Sequence, residues 1–479
     1  MGEKLAKSVK VSDKPPSAPN PKAAVPIILF TFVFCLVIDN GFKFMTKPIA
    51  EDLGLSLTAA SLQATLAGIV IGIGAVVYAA LADSISMRKP LVAGIAMIAA
   101  GSAIGFAFQG VWELVLAGRI IQTCGLAAAE TLYVIYVTKY LSKDDQKTYL
   151  GFSTSAFQGA LLIGTLTSGI MATHVSWTAM FLVSLLLVAA IPVILKKVPD
   201  SASVRSHLDV FGLFLIAVVA TAVMMFMQAF AWPWAVVAVI GIVVFAWHVR
   251  THDDALVTSA FFANGRYVTV LAVVLVVYSV QLGYSAILLP HLADKLHGID
   301  IDGAAYILAP GYALAVVVGA LSGKVGEVLS SRNTIIAALL LIMAALIIPA
   351  LFVGKSVAII VIWMLLFPSG FALIYAPLVA TAVGGIPPEK SGVAIGFYNL
   401  VINIAVPVGI AYTAKLVDLG PTFLSGLSPA GTDAEAVVAT VLWILAALVV
   451  VGLIIYLIAD GVLSRREARA ATAEEKVAA

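Results

Sequence analysis

The sequence predicts an all-α integral membrane protein of about 14 transmembrane helices. Three observations lead there. Of 479 residues, 62% are hydrophobic and only 11% charged, with a mean hydropathy of +1.07; soluble domains carry about 25% charged residues. The chain divides into about 14 apolar runs, each close to the roughly 20 residues that cross the hydrocarbon core. Lys and Arg gather in alternate links between those runs. This composition excludes a soluble enzyme and a disordered chain. With 28 basic and 26 acidic residues, a net charge of +2, it also offers no basic surplus for nucleic acid.

Taken in order, the first residues are polar, with Pro15, Pro16 and several lysines, and read as a cytoplasmic tail over 1–24. Apolar runs at 25–46, 59–81, 90–108, 113–138, 149–172 and 178–195 predict a first six-helix bundle over 25–197, closed by Lys196 and Lys197. Runs at 210–230 and 232–248, joined tightly at Ala231-Trp232-Pro233, predict two inserted helices within 198–266; a total of 12 spans remains open if this pair is something else. Runs at 267–290, 304–322, 333–352, 357–383, 392–414 and 437–459 predict a second bundle over 267–460. A charged tail covers 461–479. Placing the N-terminus inside puts about 22 of the 28 Lys and Arg residues on the cytoplasmic side. The expected location is the cell membrane, multi-pass, with both termini cytoplasmic. Pro290, Pro310, Pro349, Pro368, Pro377 and Pro407 are expected to interrupt helices of the second bundle.

Two stretches, 79–89 and 319–326, read as matching cytoplasmic links eight helices apart. Each carries a small residue, a Leu and then a basic residue, which suggests duplicated bundles with two spans added between them. Asp83, Arg88, Gly319 and Lys324 are the gating candidates there. Gly159, Gly164 and Gly169 recur every five residues on the fifth span and predict a tight helix contact; Gly164 and Gly169 join the gating set.

A charge at the bilayer centre costs at least about 2.5–3.5 kcal/mol, so intramembrane charges point to mechanism. Those deep in the spans are Asp39, Lys43, Arg119 and Glu130. Asp39 and Lys43, four residues apart, share a helix face, as a structural ion pair or as groups facing a central cavity. Glu130 lies 11 residues past Arg119 on the same face, too far along one helix for a direct pair, which makes Lys43 its candidate partner. A buried carboxylate without a close cation is costly to keep charged, a property that suits proton exchange. Asp39 ranks first and Glu130 second as proton carrier, and Arg119 completes the proton-coupling candidates. Substrate-lining candidates are Lys43, Gln122, Tyr133, Gln158, Gln281, Tyr284, Tyr375, Asn399 and Asn403, because tyrosine and amide side chains suit an amphipathic organic molecule.

Cys35 and Cys124 both lie in apolar runs and offer neither a disulfide framework nor a paired-cysteine zinc site. His248 and His252 have metal-binding spacing, but the end of the eighth span reads as a solvated helix terminus. No cofactor and no metal is predicted.

Five local patterns resemble one family. They are Ile38-Asp39 with Pro48-Ile49-Ala50-Glu51-Asp52-Leu53; the 79–89 loop; Arg119-Ile120-Ile121-Gln122 with Gly125; Gly164-Thr165-Leu166-Thr167-Ser168-Gly169; and His207-Leu208-Asp209-Val210-Phe211-Gly212. In this order the chain resembles the major facilitator superfamily, within it the 14-helix drug:proton antiporter branch that includes Gram-positive tetracycline and multidrug exporters. That resemblance implies two six-helix bundles with two inserted helices. It also implies a non-enzymatic, monomeric, proton-coupled exporter of amphipathic compounds working by alternating access, whose partners are substrate, protons and lipid. An organic-anion or metabolite carrier using Lys43 and Arg119 is the alternative, and a polytopic membrane enzyme a remote one.

Overall fold

The computed structural model describes residues 21–199, 209–252, 264–384, 386 and 391–478. Among them are 14 stretches long and apolar enough to cross a membrane. The chain begins with α1 (Val25–Phe44), which ends at Met45 and is followed by the short α2 (Thr46–Asp52). The next helices are α3 (Leu57–Ser84), α4 (Arg88–Ala107), α5 (Trp112–Tyr140) and α6 (Lys143–His174). The sixth span is built from α7 (Ala179–Leu185), a tight turn and α8 (Ile191–Lys197). The inserted pair is α9 (Val210–Ala229) and α10 (Trp232–Thr251).

The second half starts with α11 (Gly265–Leu282), which runs through a π-helical turn into α12 (Leu289–His297). It continues with α13 (Ile301–Val328), α14 (Ser331–Leu351), α15 (Val357–Val383), α16 (Ser391–Leu419) and the long α17 (Asp433–Ala478). With every span reversing direction, the start of the first span and the end of the fourteenth lie at the same face, here called the terminal face.

Two large apolar clusters fill the bundle. One joins α1, α3, α4, α5 and α7; the other joins α11 to α17. Backbones in the first approach closely where both helices carry glycine. A Cβ on Gly101 of α4 would lie 2.3 Å from the Gln122 nitrogen and 2.4 Å from the Gly118 carbonyl of α5, and one on Gly125 would meet the Gly94 carbonyl at 2.1 Å. Without a hydrophobic drive between helices in lipid, this close packing supplies the attraction.

The halves meet along two seams, α3 against α16 and α6 against α13. Gly68 of α3 receives Pro407 of α16, and Gly169 of α6 receives Ala305 of α13. Gly164 lies instead against Val37 and Gly41 of α1, and Gly159 has open space around it, so the five-residue glycine repeat serves two different contacts. Over the α3–α16 seam lies α9, with Ala220 and Met224 packed on Ile69 and Ala411, and the Gln228 amide donates to the Thr58 carbonyl at 3.1 Å.

At the face opposite the termini, three carboxylates of the second half meet the first. Asp418 accepts from the Leu57 and Thr58 backbone N–H groups at 3.2 and 2.7 Å and from the Thr58 hydroxyl. These are orphan donors at the positive end of α3. Lys47 pairs with Asp294 at 3.2 Å, and His174 lies 3.2 Å from Asp302.

Three expectations are corrected. The stretch 319–326 is not a link: α13 stays helical to Val328, and the turn falls where the Ser330 hydroxyl caps α14. In the same way, 79–84 belongs to α3. Pro310, Pro349, Pro368, Pro377 and Pro407 lie inside uninterrupted helices, as membrane helices allow when neighbours satisfy the freed carbonyls. Only Pro290 marks an irregularity, directly after the π-helical turn. The close α4–α5 contact gives a test. Gly101→Ala should cost about 1–3 kcal/mol by overpacking and lower the melting temperature in detergent, whereas Gly110→Ala, with nothing within 4 Å, should match wild type. Equal melting of the two variants would refute this packing.

Candidate functional site

The site begins on α1. Helical geometry sets Asp39 and Lys43 one turn apart on one face, and the Lys43 ammonium lies 2.5 Å from Asp39 Oδ2. From α5, Arg119 reaches the other carboxylate oxygen at 2.7 Å. Asp39 is 2%, Arg119 1% and Lys43 9% exposed. One buried carboxylate therefore holds two buried cations.

Neutral groups satisfy most of the remaining guanidinium donors. Arg119 donates to Gln122 Oε1 at 2.8 Å, to the Thr123 hydroxyl at 3.0 Å and, from Nε, to Gln63 Oε1 at 3.4 Å. Its charge also sits 4.5 Å over the Phe42 ring, a favourable cation–π geometry. The Gln122 amide in turn donates to Ser102 of α4 and Ser184 of α7 at 2.9 and 3.0 Å. Four helices are thus tied to Arg119 by a connected polar network, the form in which buried polarity is tolerated.

Glu130 stands apart from this triad, nearer the middle of α5, within electrostatic reach of Asp39, Lys43 and Arg119. Its Oε1 is buried and accepts no hydrogen bond among the described residues. Lys43 is not its ion-pair partner, a correction with a geometric cause: among the described residues no ion pair joins the two, and the Lys43 ammonium is held 2.5 Å from Asp39 on its own helix. On the antiparallel register set by Phe32 stacked on Tyr133 at 4.8 Å, Glu130 stands level with about Cys35, two turns or about 12 Å short of Lys43 by helical rise.

The substrate-lining candidates do not form one group. Gln122 belongs to the Arg119 network. Tyr133 is wholly buried, and its hydroxyl donates to the Tyr149 carbonyl at 2.6 Å. Gln158 is buried with Oε1 unbonded. In the second half, Tyr375 lies edge-on to Tyr398 at 5.9 Å and donates to Asn399 at 3.2 Å. Tyr278 packs on Phe371 at 5.4 Å. Tyr284 is buried against Phe367 at 4.9 Å, Gln281 is buried, and Asn403 lies beside Gly72 in the α3–α16 seam.

Among the gating candidates, Arg88 donates to the Val198 carbonyl at 2.7 Å, closing α4 onto the end of α8. Gly319 has Ala372 as its one neighbour at 4.0 Å, Lys324 is exposed, and the Asp83 side chain lies outside the description. His248 is corrected: it is no solvated helix end but 5% exposed and bonded to Asp209 at 2.9 Å. Asp209 also caps α9 through the Gly212 N–H, so this pair staples the two inserted helices; His207 and Leu208 lie outside the described residues. No group of three or more His, Cys, Asp or Glu able to hold a metal occurs among the described residues. The sequence analysis passed over Gln63, Ser102 and Ser184. Each is a polar residue inside an apolar run, and that was the only signal available.

Fold and site together describe a polytopic helical transporter with a buried ionic network in one half. The Major Facilitator Superfamily model matches residues 28–410, and the chain belongs to that superfamily. Multidrug resistance protein Stp of Mycobacterium tuberculosis (strain CDC 1551 / Oshkosh) is 22% identical over 406 residues, covering 81% of this chain and 74% of Stp. Inner membrane transport protein YajR of Escherichia coli (strain K12) is 27% identical over 169 residues, 33% of this chain and 36% of YajR. Among solved structures, the POT family transporter PepTSo superposes with a TM-score of 0.70 at 11% identity, covering 94% of this chain and 99% of PepTSo. The nucleoside transporter NupG gives 0.63 at 14%, covering 92% and 100%. The structural likenesses establish the fold, and membership of the superfamily makes the chain a transporter, not a membrane enzyme.

The triad makes a specific demand. Removing one partner of a buried ion pair leaves uncompensated charge and costs about 3–5 kcal/mol. Asp39→Asn should therefore lower thermal stability sharply, and Asp39→Asn with Lys43→Met should recover part of the loss. Thermal unfolding in detergent measures both, and an Asp39→Asn variant that melts with wild type would contradict the triad's role.

Proposed function

We propose that the protein is a proton-coupled secondary transporter that exports amphipathic organic compounds by alternating access, in exchange for protons. The observation that carries this reading is the unequal treatment of two carboxylates inside the spans. Asp39 is gripped by Lys43 and Arg119 at 2.5 and 2.7 Å and has strong reason to stay charged. Glu130 has a buried oxygen without a hydrogen bond and no ion-pair partner among the described residues, and its charge changes at lower cost. In this reading Glu130 takes and releases the transported proton. Asp39 fixes the two cations whose field Glu130 feels, and Arg119 links them to the rest of the half. This reverses the ranking drawn from the sequence.

The closed face opposite the termini supports alternating access, since a carrier must seal one side while the other admits substrate. The basic residues of the links favour a cytoplasmic terminal face in the cell membrane. Tyr278, Tyr375 and Tyr398 with Asn399 gather apolar faces and a few hydrogen-bonding handles in one place, the chemistry that suits amphipathic cargo. Similarity to multidrug resistance protein Stp leans the same way. The organic-anion alternative ranks second because Asp39 already occupies Lys43. Monomeric action and the division into bundles 25–197 and 267–460 around an inserted pair complete the proposal.

Proteoliposomes with an imposed pH gradient and a panel of cationic, neutral and anionic compounds test it. Glu130→Gln should reduce proton-driven flux at least tenfold, on the order of what loss of one proton-transfer group costs, while gradient-free exchange of substrate persists. Undiminished proton-driven flux in Glu130→Gln removes Glu130 from the mechanism. Transport confined to anions would move the cargo to the alternative.

A further inference from the structure

We infer that Gln63 is a positioning residue that connects the buried charge network to the latch at the closed face; the inference rests on the proton-coupling reading of Glu130. Gln63 of α3 is 1% exposed, and its amide bonds in two directions. Its Oε1 accepts from Arg119 Nε at 3.4 Å. Its Nε2 donates to the Phe42 carbonyl at 2.7 Å and to the Thr46 hydroxyl at 3.3 Å.

The second contact falls on the joint between α1 and α2. There the last turn of α1 tightens: the Met45 N–H is shared between the Gly41 carbonyl, its regular helical partner, at 3.2 Å and the Phe42 carbonyl at 3.1 Å, and the Thr46 hydroxyl donates to the Lys43 carbonyl at 2.9 Å. A helix end exposes carbonyls that need donors, and Gln63 supplies one. On one side of this joint stand Asp39 and Lys43. On the other side Lys47 crosses to Asp294 of the second half.

Gln63 is also joined to the other strut of the closed face. Thr58, whose backbone and hydroxyl are held by Asp418, lies five residues earlier on the same rigid helix, about 7.5 Å away. One side chain therefore touches the Arg119 end of the charge network, braces the α1–α2 joint and rides on the helix whose start is latched. A shift of Arg119, driven by a change of charge on Glu130, would pull on Gln63 and through it on both Lys47–Asp294 and Thr58–Asp418. The charged and titratable groups around this path are Asp39, Lys43, Arg119 and Glu130 on the network side, Lys47, Glu51, His291, Asp294, Lys295 and Asp418 at the latch, and His174 on Asp302 at the same face.

The test reads the latch directly. Val175 and Phe423, 71% and 73% exposed at the closed face in opposite halves, are replaced by cysteine in a Cys35→Ala, Cys124→Ala background and spin-labelled. Distances are measured in nanodiscs at acidic and alkaline pH. The background should change its distance distribution with pH, and Glu130→Gln should not. Gln63→Met, which keeps the volume and loses both bonds, should lose more than half of the pH response. Gln63→Glu, which keeps the acceptor for Arg119 but loses the donor to Phe42, should lose it too, and it decides the matter if the Met variant fails to fold. A full response in a folded Gln63 variant, or no response in the background, overturns the link. A response that persists in Glu130→Gln but is lost in the Gln63 variants overturns the proton assignment and leaves the link standing.

Discussion

The structure turns on one buried carboxylate that compensates two buried cations. Asp39 lies between Lys43 and Arg119 with all three buried, and each of the three would be costly there alone. Their pairing determines much else. Arg119, held at one end by Asp39, distributes its remaining donors to Gln63, Gln122 and Thr123, and Gln122 extends the network to Ser102 and Ser184. Glycines on α4 and α5 let the backbones come close enough for those short side chains to meet. Charge, hydrogen bonding and small-residue packing are thus parts of one arrangement, and none of them persists without the others.

A second organising feature is the division of labour between the halves. The first half contains the ionic network; the second contributes a tyrosine-rich apolar core and the carboxylates Asp294, Asp302 and Asp418 that close one face. Those carboxylates meet a lysine, a histidine and a helix N-terminus across the seam, all near the surface, where such contacts are individually weak and readily exchanged. The deep network is therefore costly to break one member at a time, while the peripheral contacts exchange readily. The inserted pair adds a cover over the α3–α16 seam, with α9 packed across it and the Asp209–His248 bond joining α9 to α10.

How much of this was legible in the sequence varied by scale. The span count, the two tight inserted helices, the neighbourhood of Asp39 and Lys43 and the superfamily all followed from apolar run lengths, charge spacing and motif order. What a one-dimensional reading could not supply was which residues stand level with each other on antiparallel helices. Lys43 stood as a candidate partner for Glu130 because both are charges within spans; its ammonium is instead taken up by Asp39 at 2.5 Å, and the register of α1 against α5 leaves Glu130 nearer Cys35 than Lys43. His248 looked exposed at a helix end because Asp209, 39 residues away, is brought to it only by the packing of α9 on α10. Gln63 looked like one polar residue among apolar neighbours.

The sequence by itself determined what the lipid environment enforces: how many helices there are, how long they are, and that the few charges within them must serve a purpose. Those are one-dimensional constraints, since hydrocarbon thickness and the cost of burying charge act on each segment separately. Only the tertiary structure decided which carboxylate is locked and which is left with an unbonded oxygen, because that depends on what neighbouring helices bring within about 3 Å, the reach of a hydrogen bond.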